Sequence, residues 1–154
     1  MNEETLVRED TELLELVGFK LGEEEFGIDI INVNEIIKMQ KITSIPNAPS
    51  DILGIVNIRG KIIAVVDTRL KLGTYPKEFN NETRIIILEF NKKPIGFIVD
   101  EVTEVLRISK KTLNDVPDMV STKMNTDYIK SIANIEDKII ILLDLQKLLS
   151  GVNF

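Results

Sequence analysis

The side chains that could do chemistry in this sequence are carboxylates and cations, because the chain contains no histidine and no cysteine. Zinc sites built from those residues, histidine acid–base catalysis and thiol nucleophiles are therefore excluded. The densest carboxylate run, Glu23-Glu24-Glu25, lies on a predicted hairpin turn, where a solvated charge cluster is far commoner than a metal site. Asp67 or Asp144 could serve a carboxylate-only enzyme, but both precede predicted short helices, so capping explains them more simply. We expect no catalytic residue, no cofactor and no metal.

Composition and charge narrow the classes of partner. A formal net charge of −6 argues against nucleic acid, because phosphate binding needs clustered lysines and arginines. No apolar run approaches the ~20 residues that span a bilayer, and the acidic start Met1-Asn2-Glu3-Glu4-Thr5 lacks the basic charge of a signal peptide. We therefore expect a soluble cytoplasmic protein.

A repeat organises the chain. Gly54–Asp67 and Ser131–Asp144 lie at a constant offset of 77, and seven of their fourteen positions are identical. In each copy two β-branched runs flank a polar pair, Arg59-Gly60 or Glu136-Asp137, which predicts a tight hairpin. A hairpin made twice predicts a duplicated fold.

The repeat extends upstream at an offset of 69, where a hairpin at 13–30 matches one at 84–99 and Val33–Ile37 falls on Val102–Leu106. The sequence predicts a mainly β protein: two tandem SH3-like, five-stranded β-barrel lobes at about 14–72 and 84–150, within a single domain spanning 1–154. Short helices should follow Asp67 and Asp144. The apolar runs 62–66 and 139–143 should be buried on both faces.

Two places remain as candidates for recognition. Arg59 occupies a hairpin tip, where it is either an ordinary exposed turn residue or a specific contact. Val33, Ile36 and Ile37 could form an apolar stripe on a brief helical turn capped by Asn32 or Asn34, with Glu35 beside it. The alternative is that these aliphatic side chains simply face the core.

Several stretches resemble the CheW family of bacterial chemotaxis coupling proteins. The resemblance rests on Gly54–Gly60 followed by Val65–Arg69, and on Phe19–Asp29, Val33–Ile36 and Gly96–Val102 in the family's order and spacing. It runs from about residue 14 to 150. Ala64, where many relatives carry proline, and Ser131, where some carry glycine, depart from the pattern outside the Arg59-Gly60 hairpin.

The resemblance implies an adaptor without catalysis, which joins the cytoplasmic tips of chemoreceptors (methyl-accepting chemotaxis proteins) to the histidine kinase CheA. The kinase's regulatory domain shares the two-barrel fold, so unlike ends could form rings. The receptor tip is a helical hairpin that could lie in a groove between the lobes. The receptor- or kinase-binding residues implied in this way, with Ile36 added from the apolar stripe, are Val33, Glu35, Ile36, Gly54, Arg59, Gly96, Val105 and Ser131.

Other functions remain open at this stage. The same module could serve a non-flagellar chemosensory or motility pathway, which neighbouring genes would distinguish. From a different class, a two-barrel protein could bind a small ligand or act as a carboxylate-only enzyme. The resemblance to the CheW family implies that the protein lies in the cytoplasm, at receptor arrays on the inner face of the membrane, which it meets only indirectly through the receptors.

Overall fold

The computed structural model describes residues 12–74, 78–115 and 126–150, and these are mainly β. The strands are β1 (Leu13–Leu21), β2 (Glu24–Asp29), β3 (Val33–Lys38), β4 (Ile52–Ile58), β5 (Lys61–Val66), β6 (Arg84–Phe90), β7 (Lys93–Val99), β8 (Glu101–Ser109), β9 (Leu113–Asn114), β10 (Ile129–Ile135) and β11 (Lys138–Leu143). The α-helices are α1 (Thr68–Leu72) and α2 (Leu145–Ser150), and 3₁₀ turns span Ile30–Asn32, Lys110–Thr112 and Thr126–Tyr128. Within these ranges no helix is long and apolar enough to cross a membrane.

The hairpins and short helices follow the sequence signals. The turns Arg59-Gly60 and Glu136-Asp137 both have positive φ at their two central residues, the conformation that matches the twist of two-residue hairpins. Asp67 accepts a hydrogen bond from the Arg69 N–H at the start of α1, and Gly73 ends that helix in the left-handed conformation. The predicted hairpins and helices are confirmed.

The strands form two sheets of equivalent order. The six-stranded sheet runs β8-β1-β2-β11-β10-β9, and the five-stranded sheet runs β3-β6-β7-β5-β4. Exchanging β1, β2, β3, β4 and β5 with β6, β7, β8, β10 and β11, respectively, converts the second order into the first, apart from the two-residue β9. Asn57 and Asn134 lie on equivalent strands, and Asp67 and Asp144 each accept a backbone hydrogen bond at a helix start, as a duplication predicts.

Each half of the chain contributes its first hairpin to the sheet of the other half. The β1–β2 hairpin lies between β8 and β11, and the β6–β7 hairpin lies between β3 and β5. The sheets therefore do not follow the expected lobes at about 14–72 and 84–150. The reason is the parallel pairing of β2 with β11 and of β7 with β5, because a parallel partner cannot be reached through a tight hairpin turn.

The core has three parts. A central cluster draws on both sheets and includes Phe19, Phe26 and Phe97, and each sheet covers a smaller cluster on its other face. The strand β11 is thus buried on both faces from Ile140 onward, as predicted, and β5 is buried from Ile63 onward except at the half-buried Ala64. The exceptions are Ile62 and Ile139, which lie beside the turns and are each 60% exposed. Two sheets are confirmed, and the closure of each into an SH3-like barrel stays a prediction.

Candidate functional site

The predicted site centres on an ion pair between Arg59 and Glu35. The Arg59 Nη2 donates a hydrogen bond of 2.5 Å to the Glu35 Oε1, which joins the β4–β5 turn to strand β3. The Arg59 side chain is 74% exposed and that of Glu35 is 32% exposed. This pair uses one of the five N–H donors of the guanidinium. The pair therefore orients the planar guanidinium group while the group stays exposed to solvent. A groove of about 470 Å³ beside the pair is lined by Ile58, Ile63, Ile87 and Pro94 among others.

The expected helical turn at Val33–Ile37 is wrong, because this segment is strand β3. The 3₁₀ turn precedes it, at Ile30–Asn32, and its cap is Asp29. A β-bulge between Val33 and Glu35 shifts the register against β6, and a bulge re-aims the side chains on either side of it.

The bulge decides which side chains of β3 share a face. Val33 and Ile36 pair with Leu88 and Ile86, whereas Glu35 and Ile37 pair with Ile87 and Ile85. Val33 packs on the central cluster and Ile37 on the smaller cluster of the five-stranded sheet. Ile36 remains exposed. The stripe therefore reduces to one exposed aliphatic side chain, with Glu35 directed toward Arg59.

Gly54 and Gly96 occupy places where a side chain would collide with its surroundings. A Cβ on Gly54 would lie 2.4 Å from the Thr43 carbonyl oxygen, and a Cβ on Gly96 would lie 2.9 Å from the Ile85 Cγ2. Both residues are buried in strands. Neither presents a side chain to a partner, so any effect on binding comes through the shape of the five-stranded sheet.

Val105 and Ser131 lie in the other sheet and are not brought to Arg59. Val105 is exposed on β8, where it pairs with Val17. Ser131 lies at a bulge of β10, and its buried Oγ has no hydrogen-bond partner among the described residues. Three strands separate β8 from β10 in the sheet order. The eight predicted binding residues thus fall on both sheets, and the pair that the fold brings into contact is Glu35 and Arg59.

The carboxylates considered for catalysis have structural partners. Both oxygens of Asp67 accept hydrogen bonds from the Arg69 guanidinium at 2.9 and 3.0 Å, and Asp144 caps α2 through the Lys147 N–H. Glu25 is buried and accepts an ion pair of 2.8 Å from the Lys138 Nζ. The hydrogen bond that Lys138 donates to Glu25 raises the pKa of Lys138, against the opposing effect of burial.

Two surfaces at equivalent ends of the sheets were missed by reasoning from the sequence. The basic tip consists of the turns 59–60 and 91–92 together with Lys61 and Lys93. The acidic tip consists of the turns 22–23 and 136–137 together with Glu24, Glu25 and Lys138. The parallel pairings β5–β7 and β2–β11 bring the two turns of each tip side by side. Comparing the two repeats by charge would have found them, because Lys92-Lys93 falls on Glu23-Glu24 at the offset of 69.

Comparison with known proteins agrees with this architecture. The family model described as CheW-like domain matches residues 15–153. A chemotaxis protein CheW of Klebsiella aerogenes is 35% identical over 137 residues, which are 89% of this chain and 82% of the relative. One of Helicobacter pylori is 32% identical over 141 residues, or 92% and 84% of the two chains.

The structural comparison points the same way. The crystal structure of scaffolding protein TtCheW from Thermoanaerobacter tengcongensis matches with a TM-score of 0.80 and 38% identity, covering 88% of this chain and 86% of that one. A two-sheet β-protein with this repeat and this Arg-Gly hairpin is a CheW-like domain. The chain belongs to the CheW family.

Proposed function

We propose that this chain is a non-catalytic adaptor that couples bacterial chemoreceptors to the histidine kinase CheA in chemotaxis signalling. Membership of the CheW family supports the proposal, since relatives are named as chemotaxis proteins and one as a scaffolding protein. The observation that carries it is the Arg59–Glu35 pair, which holds a guanidinium on an exposed turn, beside a groove whose mixed lining includes the apolar residues Ile58, Ile63 and Ile87. Oriented charge next to apolar surface is a means of recognition.

The two tips support a partner with the same fold. Four basic residues (Arg59, Lys61, Lys92 and Lys93) lie at one tip, and five acidic residues (Glu23, Glu24, Glu25, Glu136 and Asp137) with Lys138 lie at the other. Unlike ends make heterologous contacts, and the CheA regulatory domain is the proposed partner there. The cytoplasmic tip of a chemoreceptor, a helical hairpin, is the proposed partner for an apolar groove.

The site residues divide into two roles. Ile36, Arg59 and Val105 are exposed and act by contact, together with the half-buried Glu35 that is bonded to Arg59. The half-buried Val33 and Ser131 and the buried Gly54 and Gly96 act by shaping the strands. The whole chain, 1–154, works as a single CheW-like domain in the cytoplasm, at receptor arrays on the inner face of the membrane.

The experiment begins with recovery of partners by the purified chain from extracts of its own cell. A receptor and a CheA-like kinase should be recovered together, and recovery of neither would contradict the proposal. Binding of each partner is then titrated with Arg59→Ala, which should weaken at least one of them by about 5- to 150-fold, or roughly 1–3 kcal/mol. Arg59→Lys should recover part of the loss, because lysine lacks the planar fork.

Two further variants make the test specific. Glu35→Lys replaces the partner of Arg59 with a like charge and should also weaken binding. Lys110→Ala is the matched control, because Lys110 forms an exposed ion pair with Glu12 away from the Arg59 turn. Thermal unfolding should show Arg59→Ala within about 1 kcal/mol of the parent, as for other exposed ion pairs. A folded Arg59→Ala that binds both partners as tightly as the parent would remove Arg59 from the site.

A further inference from the structure

The short helix α1 carries two cations that are withdrawn from solvent. It follows β5 of the five-stranded sheet, and the side chains of Arg69 and Lys71 are 3% and 7% exposed. Burying a charge is costly unless the group is paired and hydrogen-bonded. The hydrogen-bond and ion-pair partners of Arg69 and Lys71 therefore show which parts of the protein hold α1 in place.

Lys71 reaches from one sheet to the other. Its Nζ donates a hydrogen bond of 2.9 Å to the Leu148 carbonyl oxygen in α2, the helix that follows β11, and lies 5.5 Å from the centre of the Tyr128 ring. Asp51, beside β4, holds the ammonium from its own sheet at 3.7 Å. A cation near the last carbonyls of a helix complements the helix dipole and satisfies an acceptor without an intrahelical partner.

Arg69 fastens α1 to the point where the chain passes between the sheets. Besides its two bonds to Asp67, its Nη1 lies 3.5 Å from the Asp100 Oδ1, and Asp100 is the residue between β7 and β8. The other Asp100 oxygen accepts the Gly22 N–H at 2.7 Å, in the β1–β2 turn of the six-stranded sheet. Burial works to lower the pKa of Arg69, but the hydrogen bonds and charges of Asp67 and Asp100 outweigh it and raise that pKa.

The repeat shows that this fastening is one-sided. At the offset of 77, Arg69 and Lys71 of α1 correspond to Gln146 and Leu148 of α2. The equivalent helix therefore has no cations at these positions, and it supplies a backbone acceptor instead. The duplicated chain has two equivalent helices, but one of them makes the charged contacts across the sheets.

We propose that α1 sets the angle between the two sheets, with Lys71 as the positioning residue. The central cluster holds the sheets together through apolar packing, which is non-directional, whereas the Lys71–Leu148 bond joins one atom of α1, the helix after β5, to one atom of α2, the helix after β11. Loss of Lys71 lets the sheets shift against each other while each keeps its own fold. The distance between the basic and acidic tips then becomes variable.

The test measures that distance directly and needs no partner. Because the chain has no native cysteine, spin labels can be placed at Lys92→Cys and Glu136→Cys, two non-glycine turn positions, one on each tip. In the parent, pulsed electron–electron double resonance should give one narrow distribution of the distance between the two labels. Lys71→Met should broaden or displace it by about 2 Å or more, the size of a packing shift between elements, and Lys71→Arg should restore it in part.

The controls keep the proposal falsifiable. Lys110→Met removes an exposed lysine that pairs with Glu12, and it should leave the distribution unchanged. If Lys71→Met does not fold, Lys71→Gln decides, because its side chain is one atom shorter and it lacks the ammonium that bonds to the Leu148 carbonyl oxygen. A folded Lys71→Met, or in its place a folded Lys71→Gln, with the parent's distribution would overturn the proposal.

A second measurement links the device to the adaptor role, and this arm rests on the proposed function. Folded Lys71→Met should bind the kinase and the receptor separately as the parent does, but should lose simultaneous binding several-fold. A changed tip distance with no partner binding in the parent would count against the adaptor function alone. An unchanged distance would count against the positioning role, whatever the partners do.

Discussion

The basic tip and the acidic tip have similar backbone conformations and opposite charges. Their second hairpins turn through Arg59-Gly60 and Glu136-Asp137, with φ values of 50° and 86° in one and 47° and 66° in the other. Each is followed by a lysine and then by an isoleucine that is 60% exposed. The duplicated fold has thus kept the turn geometry and the exposed apolar residue, while the charges around them have been reversed.

The difference continues in the ion pairs behind each turn. At the basic tip, Glu35 of β3 accepts from Arg59. At the acidic tip, the equivalent Glu104 of β8 lies 3.7 Å from Lys138, which is also bound to Glu25. Glu25 corresponds to Pro94 of the second copy at the offset of 69. One tip therefore presents a guanidinium to solvent, and the other directs its cation toward a buried carboxylate. Backbone fixes where the tips are, and side chains decide what each can bind.

The largest expected effect tests whether the two copies are equivalent in the core. Ile63→Ala and Ile140→Ala should each lower the free energy of unfolding by about 2–5 kcal/mol, because both side chains are buried and their removal leaves a cavity. Ile62→Ala and Ile139→Ala, one residue earlier, should stay within about 0.5 kcal/mol as exposed positions. Denaturant titration of the four variants measures this. Equal costs for buried and exposed isoleucines would break the comparison.

The next effect tests a place where the copies differ. Gly54→Ala should cost about 1–3 kcal/mol as an overpacked substitution, because its Cβ would lie 2.4 Å from a backbone oxygen. Ser131 stands at the equivalent bulge and already carries a Cβ. Ser131→Ala should be neutral or slightly stabilising, since it removes a buried hydroxyl that has no partner among the described residues. Chemical denaturation compares the two, and a tolerated Gly54→Ala would mean that Thr43 moves aside.

Much of the local structure could be predicted from the sequence. The offset between Gly54 and Ser131 predicted both hairpins, and Asp67 and Asp144 predicted both helices, because turns and caps are decided by residues close in the chain. Two-sided burial of Ile63 and Ile140 followed from continuous apolar runs. These signals are local, so they survive without knowledge of the fold.

The exchange of hairpins between the sheets could not be predicted in the same way. The parallel pairing of β2 with β11 joins residues more than a hundred positions apart, and nothing in either strand's own pattern names its partner. The bulge at Val33 was missed for a related reason, because a bulge is a property of two paired strands. Arg59 and Glu35 could be named from the resemblance, but the bond between them required the fold.

A smaller effect tests the two equivalent lysines. Lys138→Met should lower stability by about 1–2 kcal/mol at neutral pH, discounted because the lysine is half-exposed. Lys61→Met should cost less than about 0.5 kcal/mol, since Lys61 forms no ion pair within the described ranges.

The pH dependence of the Lys138 effect has a definite sign. The pKa of Lys138 is raised in the folded state, so its contribution is complete below the ordinary lysine pKa of about 10.4 and is lost as pH rises through the folded value. The gap between parent and Lys138→Met in denaturant titrations should therefore narrow at alkaline pH. A gap that widens there would contradict the ion pair with Glu25.

The smallest effect concerns the turns themselves. Asp137 has a φ of 66°, and the equivalent Gly60 has a φ of 86° with no atom within 4 Å of an added Cβ. Left-handed backbone favours glycine at the second turn position, although glycine also gives the unfolded chain more freedom. Asp137→Gly should therefore stabilise the protein by only about 0.5 kcal/mol, and Gly60→Asp should destabilise it by about 1 kcal/mol.

The variant Asp137→Asn separates the effect of charge from the effect of backbone strain, because asparagine tolerates the left-handed region and lacks the negative charge. If the gain from Asp137→Gly is backbone strain, it persists in thermal unfolding at 1 M salt, where surface charges are screened within about 3 Å. If Asp137→Asn reproduces the whole gain and salt abolishes it, crowding of like charges at the acidic tip is the cause, and the turns differ in electrostatics alone.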